Sequence, residues 1–434
     1  MRITFHTKKI LKWVNDLPVG GAWGRTLFGQ AQNNLRWLWF DSMFASASDN
    51  IILNFISLYI LALGGTEVQV GLMSSLSSFL SALMLIFGAI IAEKIGRHKE
   101  VAVFAGGICG RLALLLLVFV PMFFKGASVV WVAILLAVVR DGCGNLGYPA
   151  WVSVINDTVP IEGRGRYFGA RNFVMNISGM TATLLAGKLI TLFTAHIGYQ
   201  IALGLAFSLG VSSTYCFSKI KTLPKIKQAI SRTSISVKSA LTLFKGQPQF
   251  VALVAVSGFW NFAVNIPGPF FNVYMVKELG FSASTVGLLA VVTSLTGFIV
   301  LNRLGTSSDR LGPRKLQIGS MFLIPLLPLL WIFVKEPWHV ALVNAAGGIM
   351  WAAFNLTSFN LMLNSIPKNQ VPRYSALYQI MVTLSLALGA LLGSALITSL
   401  GFITLLILST VTRLMGAVLF AWLVHEPARD SLPD

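Results

Sequence analysis

Two carboxylates, Asp41 and Asp49, stand inside an apolar run near 37–63, and Arg140 and Asp141 stand inside another near 127–155. An ionised side chain in the middle of a hydrocarbon layer costs at least ~2.5–3.5 kcal/mol, so each needs a reason to be there. Steps of four keep Asp41, Ala45 and Asp49 on one helix face. Asp49 sits about halfway along its run, where a carboxylate could exchange a proton with first one side of a membrane and then the other. Arg140 would be its partner, or would bind an anionic group on a solute. A permanent Asp49–Arg140 pair that only aligns two helices competes with this reading, and removing either partner would be costly under both. Asp141 points about 100° away from Arg140 on an ideal helix and is expected to satisfy Arg111 instead. Arg413, in the last apolar run, has no partner that the sequence names.

These residues need apolar helices to hold them. The chain has 434 residues, of which 55% are hydrophobic and only 11% charged, and its mean hydropathy is +0.76. Soluble chains carry about a quarter charged residues. Runs of roughly 20 apolar residues, enough to cross ~30 Å of hydrocarbon, recur near 37–63, 68–92, 101–124, 127–155, 169–193, 197–218, 250–276, 282–304, 315–334, 338–363, 374–398 and 400–424. The expected fold is all-α and polytopic, with twelve membrane helices, because a backbone in lipid must satisfy its own hydrogen bonds. The net charge of +18 is not a nucleic-acid footprint. Lys219, Lys221, Lys225, Lys227, Arg232, Lys238 and Lys245 crowd one loop, whereas the alternate loops hold only Lys125, Lys277 and Lys335. That asymmetry places both termini in the cytoplasm of a plasma membrane, a bacterial inner membrane by preference. Met1–Lys12 lacks the apolar core of a signal peptide. Ile10, Leu11, Val14 and Leu17 suit one face of a short basic helix on the membrane, with an unstructured tail as the alternative.

Two charged knots reveal a repeat. Glu93, Lys94, Gly96 and Lys99 recur as Asp309, Arg310, Gly312 and Lys315, a shift of 216 (309 − 93). The same shift pairs Phe55 with Phe271, Gly64 with Gly280 and Gly71 with Gly287. Downstream, Pro160, Arg166 and Tyr167 match Pro367, Arg373 and Tyr374 at a shift of 207 (367 − 160). The organisation is therefore a tail (1–36), a six-helix half (37–218), a basic linker (219–249), a second six-helix half (250–424) and a short tail (425–434). Parallel halves of this kind describe transporters with a site between them.

The second knot, with Gly305, Asp309, Arg310, Gly312, Arg314 and Lys315, resembles the loop between helices 2 and 3 of the major facilitator superfamily. The first copy departs from that pattern, with Ala89 for the Gly, Glu93 for the Asp and His98 for one cation. Arg140 followed by Gly144 resembles a further family feature in the fourth span. The Gly-rich fifth-span signature of the family's antiporters is missing from Phe173–Leu192. The resemblance covers Trp37 to about Trp422. It implies that the knots, through Glu93, Lys94, Gly96 and Arg97 and through Asp309, Arg310, Gly312 and Arg314, lock helix ends in the outward-open state. A plain positive-inside loop would carry similar cations. The resemblance also implies that spans 1, 4, 7 and 10 line a central cavity.

Those four spans each carry a polar or aromatic face. The shift of 216 takes Asp41, Ala45 and Asp49 to Ser257, Asn261 and Asn265. Span 4 aligns Arg140, Gly144, Tyr148 and Trp151, and span 10 aligns Asn344, Trp351, Asn355 and Ser358. Asn261, Asn265, Tyr148, Trp151, Asn344, Trp351 and Asn355 are thus candidate solute contacts. For Asn344 and Asn355 taken alone, ordinary interhelical amide contacts are the simpler account. Pro267 and Pro269 break span 7. The function these features suggest is secondary active transport of a small organic solute by alternating access, coupled to protons. Uptake of a sugar or organic anion and export of an amphipathic compound both fit. A membrane sensor or embedded enzyme is the opposing class, but no nucleophile–base pair stands in spans 1, 4, 7 or 10. The five His have no metal-ligand spacing, the three Cys lie inside spans and no phosphate-binding loop occurs, so no metal or cofactor is expected. The expected partners are a solute, protons and lipid, with the chain acting as a monomer.

Overall fold

The computed structural model describes residues 16–193, 196–221, 247–366 and 371–425, with side chains from 374 in the last stretch. Most of the basic linker, the first fifteen residues and the end of the C-terminal tail lie outside these, as do the candidate amphipathic residues Ile10, Leu11 and Val14. Every regular element among the described residues is helical.

In chain order the helices are α1 (Gln30–Ala62), α2 (Glu67–Ile95), α3 (His98–Phe123), α4 (Ala127–Thr158), α5 (Arg164–Leu192) and α6 (Ile197–Ser218). Then come α7 (Pro248–Lys277), α8 (Ala283–Leu311), α9 (Pro313–Leu323 with Leu326–Trp331) and α10 (Pro337–Asn364). One continuous stretch, Val371–Leu423, supplies the rest. It turns at Gly401, whose φ of 72° and ψ of 167° are not helical, so we label its arms α11 (371–400) and α12 (402–423). Ten helices among the described residues, with α11 and α12 counted as one continuous stretch, are long and apolar enough to cross a membrane. The expected ninth span falls short of that test because Pro325 and Pro328 leave it in two short pieces.

The repeat is visible in the backbone. Gly64 and Gly280 have φ of 91° and 68°, and Gly96 and Gly312 have φ of 68° and 85°. Each pair is separated by the sequence shift of 216, and each member ends a helix in a conformation that a side chain would strain. Gly96 and Gly312 mark the knot end of the helices. Gly64 and Gly280 mark the far end.

By contacts the chain divides into two compact units that cut across the sequence halves. Among the described residues, one holds 16–56, 84–125, 139–193 and 196–221; the other holds 57–83, 126–138, 247–366 and 371–425.

In the first unit, buried Leu35, Leu38, Ala150, Val154, Tyr167 and Phe217 form a core at the knot end. The Tyr167 hydroxyl donates to the Leu35 carbonyl at 2.9 Å. Asn34 clasps the backbone of Lys221 in both directions, at 2.8 and 3.0 Å, which ties the start of α1 to the end of α6. The segment expected as a tail also joins this core. Leu17–Val19 and Gly21–Thr26 are 3₁₀ turns, Val19 is buried, and the Trp23 ring lies where a Cβ on Gly163 would be. Tyr167→Phe, which deletes one buried bond, is expected to lower stability by about 1 kcal/mol. Thermal unfolding in detergent checks this, and an unchanged midpoint would remove the bond from the account.

In the second unit, the far-end part of α2 packs on α7 and α11. Lys277 Nζ lies 2.9 Å from Glu67 Oε1. The Ser394 hydroxyl donates to the Val68 carbonyl at 2.8 Å, and the Ser75 hydroxyl to the Ala387 carbonyl at 2.9 Å. Gly71 lies between these bonds, against Ser394 and Phe270.

Candidate functional site

Four charged side chains converge in the first unit. Arg140, from α4, reaches Asp49 Oδ1 on α1 with Nη2 at 2.6 Å and Asp141 Oδ1 with Nη1 at 2.8 Å. Arg111, from α3, places Nη1 3.7 Å from the same Asp49 oxygen and donates to the Ser48 hydroxyl at 3.2 Å. Both guanidinium groups are largely covered, at 18% and 14% exposed, whereas the Asp49 side chain is 55% exposed. Two acids and two cations sum to zero, so the cluster is neutral only while all four stay ionised.

The structure thus pairs Asp49 with Arg140 as the spacing suggested, and it corrects the expected Asp141–Arg111 pair. Two features explain the exchange. The forked guanidinium of Arg140 serves two carboxylates at once, which a point charge would not. Arg111 follows a π-helical stretch of α3, Val103–Cys109, which changes the helix register just before it. The Arg111 side chain then crosses over Gly210 of α6, where a Cβ would lie 2.6 Å from Nε.

Asp41, two turns along the same face, is buried at 4% exposure and accepts from the Ser213 hydroxyl on α6 at 2.6 Å. Arg171 of α5, also buried, donates to the Ser42 hydroxyl at 2.5 Å and lies 5.3 Å from the Trp151 ring centre. Trp151 stacks on Tyr148, with ring centres 5.8 Å apart. Sequence reasoning passed over Arg171 and Ser213. A lone Arg within an apolar run was the available signal for the first; a serine carries none.

In the second unit the candidate amides divide. The Asn265 amide donates to the Leu386 carbonyl on α11 at 2.7 Å, and the Asn344 amide to the Leu289 carbonyl on α8 at 3.0 Å. Asn261 donates to Ser257 within its own helix at 2.8 Å. Asn355 is exposed. Trp351 meets Phe354 edge-on at 5.5 Å, and Phe354 stacks on Trp260. Gln317 of α9, which the sequence did not single out, bonds both Thr357 and Ser358 of α10.

At the knots, Glu93, Lys94, Gly96 and Arg97 are exposed, as are Asp309 and Arg310. Arg314 does something else: Nε and Nη2 donate to the Val424 and Ala421 carbonyls at 2.6 and 2.7 Å, which caps the end of α12. His98 Nδ1 lies 2.8 Å from the Ser153 hydroxyl. Among the described residues, no group of three His, Cys, Asp or Glu could hold a metal ion.

An all-helical polytopic membrane chain with a duplicated helix–knot–helix unit and an acid–base cluster inside its helices is of the secondary-transporter class. The comparisons agree. The chain belongs to the Major Facilitator Superfamily, whose profile matches residues 38–304 and 261–434. It is 24% identical over 379 residues to the multi-drug resistance efflux pump PmrA of Streptococcus pneumoniae, covering 86% of this chain and 91% of that one. It is 23% identical over 427 residues to the multidrug resistance protein MdtG of Salmonella typhimurium, covering 94% and 96%. Among solved structures, a variant of the nucleoside transporter NupG superposes with a TM-score of 0.72 at 14% identity, covering 91% of this chain and all 100% of that one. A D-xylose–proton symporter superposes at 0.68 and 12% identity, covering 91% and 97%. The chain is a secondary membrane transporter and not an enzyme.

Proposed function

We propose that the protein exports amphipathic organic compounds from the cytoplasm in exchange for protons. Asp49 is the coupling carboxylate and Arg140 its partner; Asp41 is a second acid on the same helix face. The observation that carries the reading is the half-exposed Asp49 carboxylate, held between two covered guanidinium groups. When Asp49 takes a proton, the neutral cluster becomes positive, and Arg140 is released to attract or repel a bound solute. Tyr148 and Trp151 offer a stacked aromatic surface close by on the helix that carries Arg140. Export is favoured over sugar uptake because Asn265 and Asn344 spend their amides on backbone carbonyls, which leaves fewer donors for hydroxyl groups. The names of the relatives point the same way, whereas the missing fifth-span antiporter signature does not. The basic loops put the knot end in the cytoplasm. In that orientation, the seam where the far-end part of α2 packs on α7 and α11 lies on the outer side.

The experiment uses the full chain in liposomes, with ethidium as the probe and an imposed pH gradient. Transport should follow the gradient, and Asp49→Asn should lower gradient-driven movement at least about tenfold; it should also cost some thermal stability, because the covered Arg111 and Arg140 are left with Asp141 alone. Ethidium movement that ignores the gradient, or full gradient-driven transport in Asp49→Asn, would sink the coupling role.

A further inference from the structure

Arg413 lies in the middle of α12, is only 3% exposed and, among the described residues, forms no ion pair with an acid. Its partner is backbone. Nη2 donates to the Val264 carbonyl at 3.2 Å, and Nε has no hydrogen-bond partner. Val264 stands where α7 breaks: the regular helix ends at Asn265, and a 3₁₀ turn, Gly268–Phe270, leads into a last helical piece, Phe271–Lys277.

The break follows from the sequence. In an unbroken helix the carbonyl of residue 263 accepts from the N–H of residue 267, and that of residue 265 from residue 269. Both donors are prolines and have no N–H. The Ala263 carbonyl instead accepts from the Ser409 hydroxyl at 2.6 Å. Ser409 and Arg413 are one turn apart on α12, and at Gly416, the next residue on that face, a Cβ would lie 3.3 Å from the Trp260 ring. One stripe of α12 thus supplies donors to consecutive carbonyls of α7. A cation there also opposes the negative end of the helix dipole. The break is also held by α11, where Asn265 bonds Leu386 and a Cβ on Gly393 would meet the Ile266 carbonyl at 2.0 Å.

We propose that Arg413, with Ser409, is a positioning residue: Ser409 holds the Ala263 carbonyl that Pro267 releases, Arg413 holds the Val264 carbonyl next to it, and together they fix where α7 bends. The piece up to Asn265 is held by α11 and α12, and the bend is confined to Ile266–Pro269. Beyond it, Phe271–Lys277 carries Phe271 and Tyr274 against Phe402, and Lys277 against Glu67. That last piece is the part of α7 free to move while Asn265 stays in place. This inference stands whether or not the solute and the coupling ion are those proposed above.

The test is hydrogen exchange of the full chain in detergent, followed by mass spectrometry. Arg413→Met should speed exchange in peptides covering 259–277 by about fivefold or more, the local opening expected when a buried bond is lost. Peptides from α1 and α4 should be unchanged. Arg413→Lys, which still donates to Val264, should restore near-native exchange. The proposal is overturned if Arg413→Met leaves 259–277 as in the native protein, if exchange rises equally in α1 and α4, or if Lys behaves as Met does. Should Arg413→Met not fold, Ser409→Ala deletes the Ala263 bond alone and decides by the same readings.

Discussion

Arg140→Met is expected to stop gradient-driven transport and to lower stability by about 2 kcal/mol. The stability figure sits below the ~3–5 kcal/mol typical of a buried pair broken on one side, because the Asp49 partner is 55% exposed and partly screened. The larger effect is on function. Without Arg140, two carboxylates face a single cation, Arg111, which lies 3.7 Å from Asp49 and is bonded to Ser48. The cluster would then carry a negative charge when all groups are ionised, and proton uptake would neutralise it instead of releasing a cation. Arg140→Lys separates charge from geometry. A lysine restores the net charge, but a single ammonium does not reproduce the two-pronged contact with Asp49 and Asp141. It should recover most of the thermal stability and little of the coupled transport. Ethidium flux in liposomes and unfolding midpoints in detergent are the two readouts. Wild-type flux in Arg140→Met would show that the cluster only holds helices together.

The parts of this arrangement that the sequence disclosed share a feature: each is written in side-chain type and spacing. The repeat shift of 216 paired Gly64 with Gly280 and Gly96 with Gly312, which all turn out to have positive φ, and steps of four placed Asp41 and Asp49 on one face. The Asp49–Arg140 contact followed because each charge needs its opposite inside an apolar layer. What stayed hidden depends on backbone. The exchange of partners between Asp141 and Arg111 follows a π-helical stretch in α3 that no side-chain pattern announces. Arg413 seemed unpartnered because carbonyls leave no trace in a sequence, although Pro267 and Pro269 marked where some would be freed. The amide stripes were legible as polar faces, but their use was not. Asn265 and Asn344 bond neighbouring helices, the ordinary role of such residues in membrane bundles.

The seam beside Gly71 offers a way to bias the resting conformation with one methyl group. A Cβ on Gly71 would lie 2.7 Å from the Ser394 Cβ, 2.8 Å from Phe270 Cζ and 3.1 Å from the Ser394 Cα. Two of these are closer than real Cβ contacts allow, and the third involves backbone that a rotamer change does not move. Gly71→Ala therefore carries an overpacking cost of about 1–3 kcal/mol, and it does so only while α2 rests on α7 and α11. A cost confined to one of two conformations shifts their ratio by about 5- to 150-fold. The bonds that close the seam, Ser394 to Val68, Ser75 to Ala387 and Lys277 to Glu67, would part together. A cysteine at Ser75, buried at 7% exposure in the closed seam, should then react readily with a membrane-impermeant maleimide added to the outer face. The unfolding midpoint should move little, because the open form contains no clash, and ethidium flux should fall with the loss of the closed form. Ser394→Gly in the same chain removes the Cβ that Gly71→Ala meets at 2.7 Å, and it should restore much of the protection. Unchanged labelling of the Ser75 cysteine in Gly71→Ala would mean that the seam yields without opening, and conformational bias at this site would have to be abandoned.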